Sequence, residues 1–439
     1  MAKRKTAACR RVAVLVVLAG ACGAASAAEV TFGANREMYV DGKLFLPVHA
    51  WAAATADLDR LKAMGVNLVL GFGDGSMTWR PISDESIAQM RRNLDECHKR
   101  GMYGAILVSA WWTDPAKRGS FADRTLADYI ALFKDHPALL GWQISIEDDM
   151  GLGRAQREAM GAADRWVPRP GGNPEDLKAR YQAVKQADPD HPVIIMHSGG
   201  QMIAGLRGFT WTQPTPETWY MQASRHCDIL YHDLFPVANN TAEDLQQITD
   251  ATRLLMKYGS GEKHLWVAVD AGDRKRWTTR SHAPTTAEIR CELWMALING
   301  AHGLGFDFTS WKPTWASIRM DPQAEKQLGP EMATIQGLKE PILLGQTTRS
   351  VKVAADAPDS VQAIVRQYGG SLYVFAVNNE PQPRTAAITV SGLEAAAAAV
   401  LGEDRMVELR AGTFSDAFGG HQVHLYRIDP SPPGSRQGE

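Results

Sequence analysis

Apolar residues fall along this chain in short unbroken runs separated by longer amphipathic stretches. The runs cover residues 47–51, 66–72, 102–110, 139–146, 193–196, 229–237, 264–269 and 304–308. Each is short and bounded by Gly, Pro or charge, as expected of a strand buried on both faces. Between them lie segments with helical spacing at 57–64, 83–100, 125–134, 174–186, 241–258, 286–299 and 331–338. Ser83 stands where an N-cap belongs, and Gly101 lies just past the end of the same helix. Residues 38–46 read as a hairpin turning at Asp41-Gly42, whose second arm leads into the first run. The insert between the fifth and sixth runs carries Trp211, Pro214, Pro216, Trp219 and Tyr220 and reads as irregular, a lid or wall.

Strict alternation over roughly 300 residues predicts a parallel sheet, and eight strands predict a closed (β/α)8 TIM barrel. A doubly wound open sheet is the alternative, but no Gly-rich dinucleotide fingerprint follows any run. The pattern changes after residue 347. Runs at 350–355, 361–367, 371–378, 385–390, 405–409 and 421–428 predict a small C-terminal antiparallel β-sandwich, with a helix-tolerant Ala run at 393–400. The expected division is a barrel at 29–347, a sandwich at 348–430 and a disordered tail at 431–439.

The first residues belong to neither unit. Lys3, Arg4, Lys5, Arg10 and Arg11 precede an apolar stretch at 12–21, and Ala25-Ser26-Ala27 fits a signal peptidase site. Residues 1–28 therefore read as a signal peptide, and the protein as secreted or periplasmic. Lipid attachment at Cys22 is the weaker alternative, because Ala19-Gly20-Ala21 lacks the usual Leu.

Without that leader, 42 of the 47 basic residues remain against 49 acidic ones, a balance of about −7. This argues against nucleic acid or an anionic membrane as partner. No later stretch is apolar enough for a membrane span. Cys97, Cys227 and Cys291 are odd in number and lack metal-ligand spacing, so they read as small buried hydrophobes. No cofactor or metal is expected. His232 and Asp233 with His197 or His49 are the weak metal alternative, and Ser198 lacks a G-x-S-x-G elbow.

A barrel of this kind carries its chemistry where strands end. Those positions hold His49, Trp51, Asp74, Trp111, Glu147, Asp148, Asp149, His197, Tyr231, Asp233, Asp270, Asp307 and Trp311. Aromatic faces with carboxylates suit a sugar: rings stack on C–H surfaces, and acids bond hydroxyls or act in pairs on a glycosidic bond. Three adjacent acids, Glu147 to Asp149, repel one another, which would raise the pKa of a catalytic acid.

The stretch Gly141-Trp142-Gln143-Ile144-Ser145-Ile146-Glu147 resembles the fourth strand of clan A glycoside hydrolases, where the acid/base stands at the final Glu. Ile146 replaces the Asn or Asp usual before it. Residues 228–236 resemble the sixth strand of that clan. Trp266-Val267-Ala268-Val269-Asp270 falls where its seventh strand offers a nucleophilic Glu, here one methylene shorter. The segments 284–290 and 294–303 resemble the helix before strand eight in bacterial members.

The resemblance implies a glycosidase acting on a poly- or oligosaccharide. Glu147 and Asp270 would be catalytic. His49, Trp51, Trp111, Asp149, His197, Tyr231, Asp233, Asp307 and Trp311 would bind substrate. The departures at Ile146 and Asp270 motivate a second reading, a carbohydrate-binding protein that kept the barrel and lost catalysis.

Overall fold

The computed structural model describes residues 27–73, 80–152, 154–161, 167–169, 171–208, 215–237, 245–273, 282–308, 318–393 and 397–429. The expected leader, Asp74, Trp211, Trp311 and the expected tail lie outside these residues.

The chain opens with a three-stranded antiparallel sheet of β1 (Val30–Phe32), β2 (Met38–Val40) and β3 (Lys43–Phe45). Asp41 and Gly42 join β2 to β3 with φ of 51° and 72°, the twist a two-residue hairpin needs.

Eight parallel strands then close a barrel. They are β4 (Val48–Ala53), β5 (Leu68–Phe72), β6 (Tyr103–Leu107), β7 (Leu139–Ile146), β8 (Val193–Ser198), β9 (Ile229–Asp233), β10 (His264–Asp270) and β11 (Gly303–Asp307). β11 pairs back onto β4 and closes the ring.

The accompanying helices are α1 (Leu58–Ala63), α2 (Asp84–Lys99), α3 (Ala110–Thr113), α4 (Leu126–Ile130), α5 (Arg154–Ala159), α6 (Pro174–Ala187), α7 (Gly199–Gly208), α8 (Pro216–Ala223), α9 (Gln246–Tyr258), α10 (Thr286–Ile298), α11 (Pro322–Gly337) and α12 (Lys339–Leu343). Local signals set their ends. Ser83 caps α2 by accepting from the Ser86 N–H at 3.1 Å, and Gly101 follows with φ of 62°. Thr285 and Glu288 form the reciprocal capping box of α10.

Two differences from the sequence reading lie in the helical layer. The described part of the insert holds α7 and α8, so it is not simply irregular. α11 starts at Pro322, far before residue 331, because Asp321 caps it and Pro330 sits inside the helix rather than starting it.

The barrel interior has its own small core, including Leu68, Leu70, Ala105, Leu140, Ile194, Tyr231, Trp266 and Ala268. Met38 and Val40 of the hairpin join this cluster. Arg36 accepts a hydrogen bond from the ring of His264, the first residue of β10, at 2.6 Å. The hairpin therefore covers the N-terminal end of the barrel.

The C-terminal unit has two antiparallel sheets. One orders β12 (Val351–Ala355), β15 (Arg384–Val390) and β18 (Thr413–Phe418). The other orders β13 (Val361–Tyr368), β14 (Ser371–Asn378), β19 (Val423–Ile428), β16 (Ala397–Val400) and β17 (Arg405–Glu408). They enclose Val365, Val374, Ile388, Phe414, Phe418 and Tyr426. The described end of the Ala run is strand β16, paired with β17 and β19. β18 escapes sequence reading because Asp416 stands between Phe414 and Phe418 on its buried face.

The two units share a core. α10 is buried on nearly every face, since Trp294 packs 5.1 Å from Phe375 of β14 while the helix also lies on the barrel. Among the described residues, no helix is long and apolar enough to cross a membrane.

Candidate active site

The end of β7 is the most constrained backbone at the barrel mouth. Glu147 takes the left-handed conformation (φ 45°, ψ 42°), which costs a non-glycine residue roughly 1–2 kcal/mol. Its N–H donates to the Met196 carbonyl of β8 at 3.1 Å, and its own carbonyl accepts from the Met150 N–H at 3.0 Å. Strain of this kind persists only where neighbours enforce it, and it gathers at functional sites.

Those neighbours are the next two acids, which diverge from Glu147. Asp148 is buried and accepts from Arg180 Nη1 at 3.0 Å; the same Nη1 reaches the Ile144 carbonyl at 2.9 Å. Arg180 also bonds the Gly171 carbonyl and lies over the Trp112 ring. Burial pushes the Asp148 carboxyl up and the Arg180 guanidinium down, against their mutual attraction. The clamp therefore serves position more than stability.

Asp149 is fully buried and accepts from the Ser198 N–H at 3.0 Å and the Tyr220 hydroxyl at 2.7 Å. Burial pushes it up to about 8 in spite of those bonds. Asp149 is thus protonated at neutral pH and Asp148 is matched by Arg180. Of the expected repulsion among three acids, the part between Glu147 and Asp149 remains and adds to burial in raising Asp149, while Asp148 is matched by Arg180.

A second set of acids lines adjoining strands. Side chains alternate across a strand, and Tyr231, Trp266 and Ala268 belong to the barrel interior. Asp233 and Asp270 share their parity and face inward. Asp307 shares the parity of Gly305, whose Cα abuts the His49 ring. Asp270 pairs in register with Asp307, and Asp233 with Ala268 two residues below Asp270. Three inward carboxylates thus stand on β9, β10 and β11, with Trp51 next on β4. Glu147 on β7 lies three strands from Asp270 around the eight-strand ring.

Asp270 is fully buried, and its N–H donates to Glu292 of α10 at 3.1 Å. Burial and the nearby Asp270 charge raise the Glu292 carboxyl well above the usual carboxylate range.

No family model and no curated protein sequence matches the chain. Solved glycoside hydrolases do share its architecture. An α-amylase of Geobacillus thermoleovorans complexed with acarbose superposes with a TM-score of 0.56 at 10% identity, covering 88% of this chain and 99% of that one. An Anoxybacillus α-amylase gives 0.55 at 10% identity, covering 88% and 98%. A glycoside hydrolase family 5 protein of Bacteroides vulgatus gives 0.54 at 12% identity, covering 92% and 93%. The chain shares the barrel fold of these solved structures. At these identities the likeness speaks for the fold, and the sequence resemblance at 141–147 stands at that level.

Within this fold several expected sugar ligands lie away from the mouth. His49 is fully buried inside the barrel, edge-on to Tyr231 at 4.8 Å and tilted against Trp266 at 5.4 Å. Burial lowers it to about 3, so it is neutral. Tyr231 packs there with it, one inward position below Asp233. His197 points out of the barrel wall, 5.2 Å from the Tyr220 ring and 5.7 Å from Trp219. Trp111 lies on α3 against Tyr129, beneath the Arg118 guanidinium. Asp149 is the buried strut just described.

The weak metal alternative fails on direction. His232 faces outward to Thr252 of α9, whereas Asp233 faces inward, so the proposed ligands do not converge. Sequence reading missed Arg180 and Glu292, and placed Tyr220 in the insert without a role. Each supports the site from a helix, and helical residues give no strand-end signal.

Proposed function

We propose that this protein hydrolyses O-glycosidic bonds of a poly- or oligosaccharide outside the cytoplasm, after export through the leader at residues 1–28. The observation that carries the reading is the strained, backbone-clamped Glu147 at the end of β7. It shares the mouth with three inward carboxylates on β9, β10 and β11. Glu147 protonates the leaving oxygen. Asp270 attacks the anomeric carbon or activates water, while Asp233 and Asp307 bind sugar hydroxyls and Trp51 stacks on the ring. Carboxyl separations of about 5–5.5 Å give retention and about 6.5–9.5 Å inversion, so product stereochemistry reports which role Asp270 plays.

The complete burial of Asp270 favours a second reading, a sugar-binding barrel without catalysis. A panel of polysaccharides and aryl glycosides separates the two. Hydrolysis lost in both Glu147→Gln and Asp270→Asn supports the glycosidase. Binding without hydrolysis, unchanged in Glu147→Gln, supports the binding protein. Hydrolysis that survives Asp270→Asn moves the second role to Asp233 or Asp307.

A further inference from the structure

Glu292 is a fully buried acid on α10, among the buried apolar side chains of Ile289, Leu293, Met295 and Ala296. A carboxyl in such a place costs free energy unless a partner uses it. The hydrogen bond it makes goes to the second acid of the proposed pair. Glu292 Oε2 accepts the Asp270 N–H at 3.1 Å, at the last residue of β10. That nitrogen shares its Cα with the Asp270 side chain, so the contact fixes the point from which the side chain departs. The anchor is itself held from behind. Trp294 of α10 packs against Phe375 of β14, and Cys291 donates to the Asn378 carbonyl at 3.5 Å.

The other oxygen, Oε1, is buried and has no hydrogen-bond partner among the described residues. An ionised carboxylate would carry charge there without a donor, which costs more than a neutral hydroxyl. The charged groups acting on Glu292 are acids, Asp270 from β10 and Glu288 one turn earlier on α10. Arg290 of the same helix pairs with Glu331 of α11 at 2.9 Å, and Arg253 of α9 bonds the Asn299 side chain at 2.8 Å. Among the described residues, no cation pairs with Glu292. Adjoining carboxyls in such a site keep one proton between them, and the oxygen without a donor is where it sits.

We propose that Glu292 is the positioning residue of Asp270. It anchors the end of β10 through the Asp270 amide and carries the proton of the pair, so that Asp270 alone is ionised and faces the barrel mouth. The inference rests on the glycosidase reading and adds the group that orients its second acid.

The test uses the full chain, soluble polysaccharides (starch, xylan, mannan and pectin), nitrophenyl glycosides, and two variants of similar side-chain volume. Glu292→Gln keeps an oxygen that can accept the amide, whereas Glu292→Met keeps the bulk and loses the acceptor. On the probe that the wild type cleaves fastest, Glu292→Met should lower kcat about a hundredfold and leave KM within about twofold, because a slightly misplaced reacting group acts on kcat. Glu292→Gln should restore kcat to within about tenfold of wild type. The acid limb of kcat/KM, set by ionisation of Asp270, should stay within about 0.3 pH of wild type in Glu292→Gln. An ionised Glu292 would raise Asp270 by repulsion, and its replacement by Gln would carry that limb to lower pH.

A second measurement needs no substrate. Infrared difference spectra of wild type minus Glu292→Gln at neutral pH, with isotope-labelled glutamate, should show the C=O stretch of a protonated carboxyl.

Carboxylate bands in its place overturn the proposal, as does an acid limb that moves down in Glu292→Gln. A Glu292→Met enzyme as active as wild type overturns it too. Where Glu292→Met does not fold, the infrared band and the acid limb of Glu292→Gln decide. A protonated band with no cleavage of any probe by the wild type removes the glycosidase reading and the positioning role with it. Cleavage by the wild type with carboxylate bands removes the inference and leaves the glycosidase.

Discussion

Single residues in this protein are decided by which side of a strand they face. In a parallel strand buried on both sides, inward and outward positions are equally apolar, so parity leaves little mark in the sequence. His197 and Asp233 both stand at strand ends, yet one faces α8 and the other the barrel mouth. A shift of one residue reverses the face. The acids on β9, β10 and β11 stand out in the sequence because a charge at the end of an apolar run has few other places to go. The fate of Asp149 is not legible, because its partner Tyr220 lies 71 residues away.

Asp149 makes a pH prediction. Its carboxyl rises from an ordinary 3.8 to about 8 on folding. Between those values the folded state holds a proton that the unfolded chain has lost. The stabilisation is complete below about 4 and fades as pH rises towards 8. Glu292 acts in the same direction. Thermal melts across this range should show wild-type stability falling with pH, and a shallower fall in Asp149→Asn. Identical slopes would remove Asp149 from the account. Gly305→Ala sets a methyl group against the fully buried His49 ring. It should cost about 1–3 kcal/mol in urea unfolding, the usual range for overpacking a core.

At the scale of elements, the barrel strands and the long capped helices are legible, because run length, caps and Gly stops agree. α7 is not, since four of its ten residues are Gly; α8 does carry a start signal, Thr215 as N-cap with Pro216 in its first turn, which reading the insert as irregular passed over. The Arg180 clamp belongs to this scale too. α6 reaches back through Arg180 to hold both Ile144 and Asp148, fixing the strand end that carries Glu147. Arg180→Ala leaves a buried Asp148 without its cation and should cost about 3–5 kcal/mol in denaturant unfolding. Arg180→Lys keeps the charge but not the several bonds of a guanidinium, and should recover only part of that loss. Full stability in Arg180→Ala would mean that α6 holds the strand end by packing alone.

The whole molecule is organised by α10, which serves two cores at once. Its Trp294 and Met295 lie in the cluster that also contains Phe375, Val377, Val423 and Leu425 of the second unit. The sequence shows two units but not that they share a core, because the joining contacts cross more than 80 residues of chain. A chain ending near residue 347 would expose this apolar face and should aggregate rather than fold as a stable barrel. A soluble, monomeric truncated barrel with unchanged melting temperature would show that the sandwich is not needed for packing.

The fold also explains how one acid is singled out from three. Asp148 is matched by Arg180, Asp149 is protonated behind the wall, and Glu147 is left half-buried at the mouth in a strained conformation. That assignment is tested most directly by hydrolysis in Glu147→Gln, measured on the substrate for which the wild type is most active. Loss of about a thousandfold or more in kcat/KM, with an unchanged melting temperature, is expected of the general acid. Activity within about tenfold of wild type would contradict it and move the acid elsewhere on the rim.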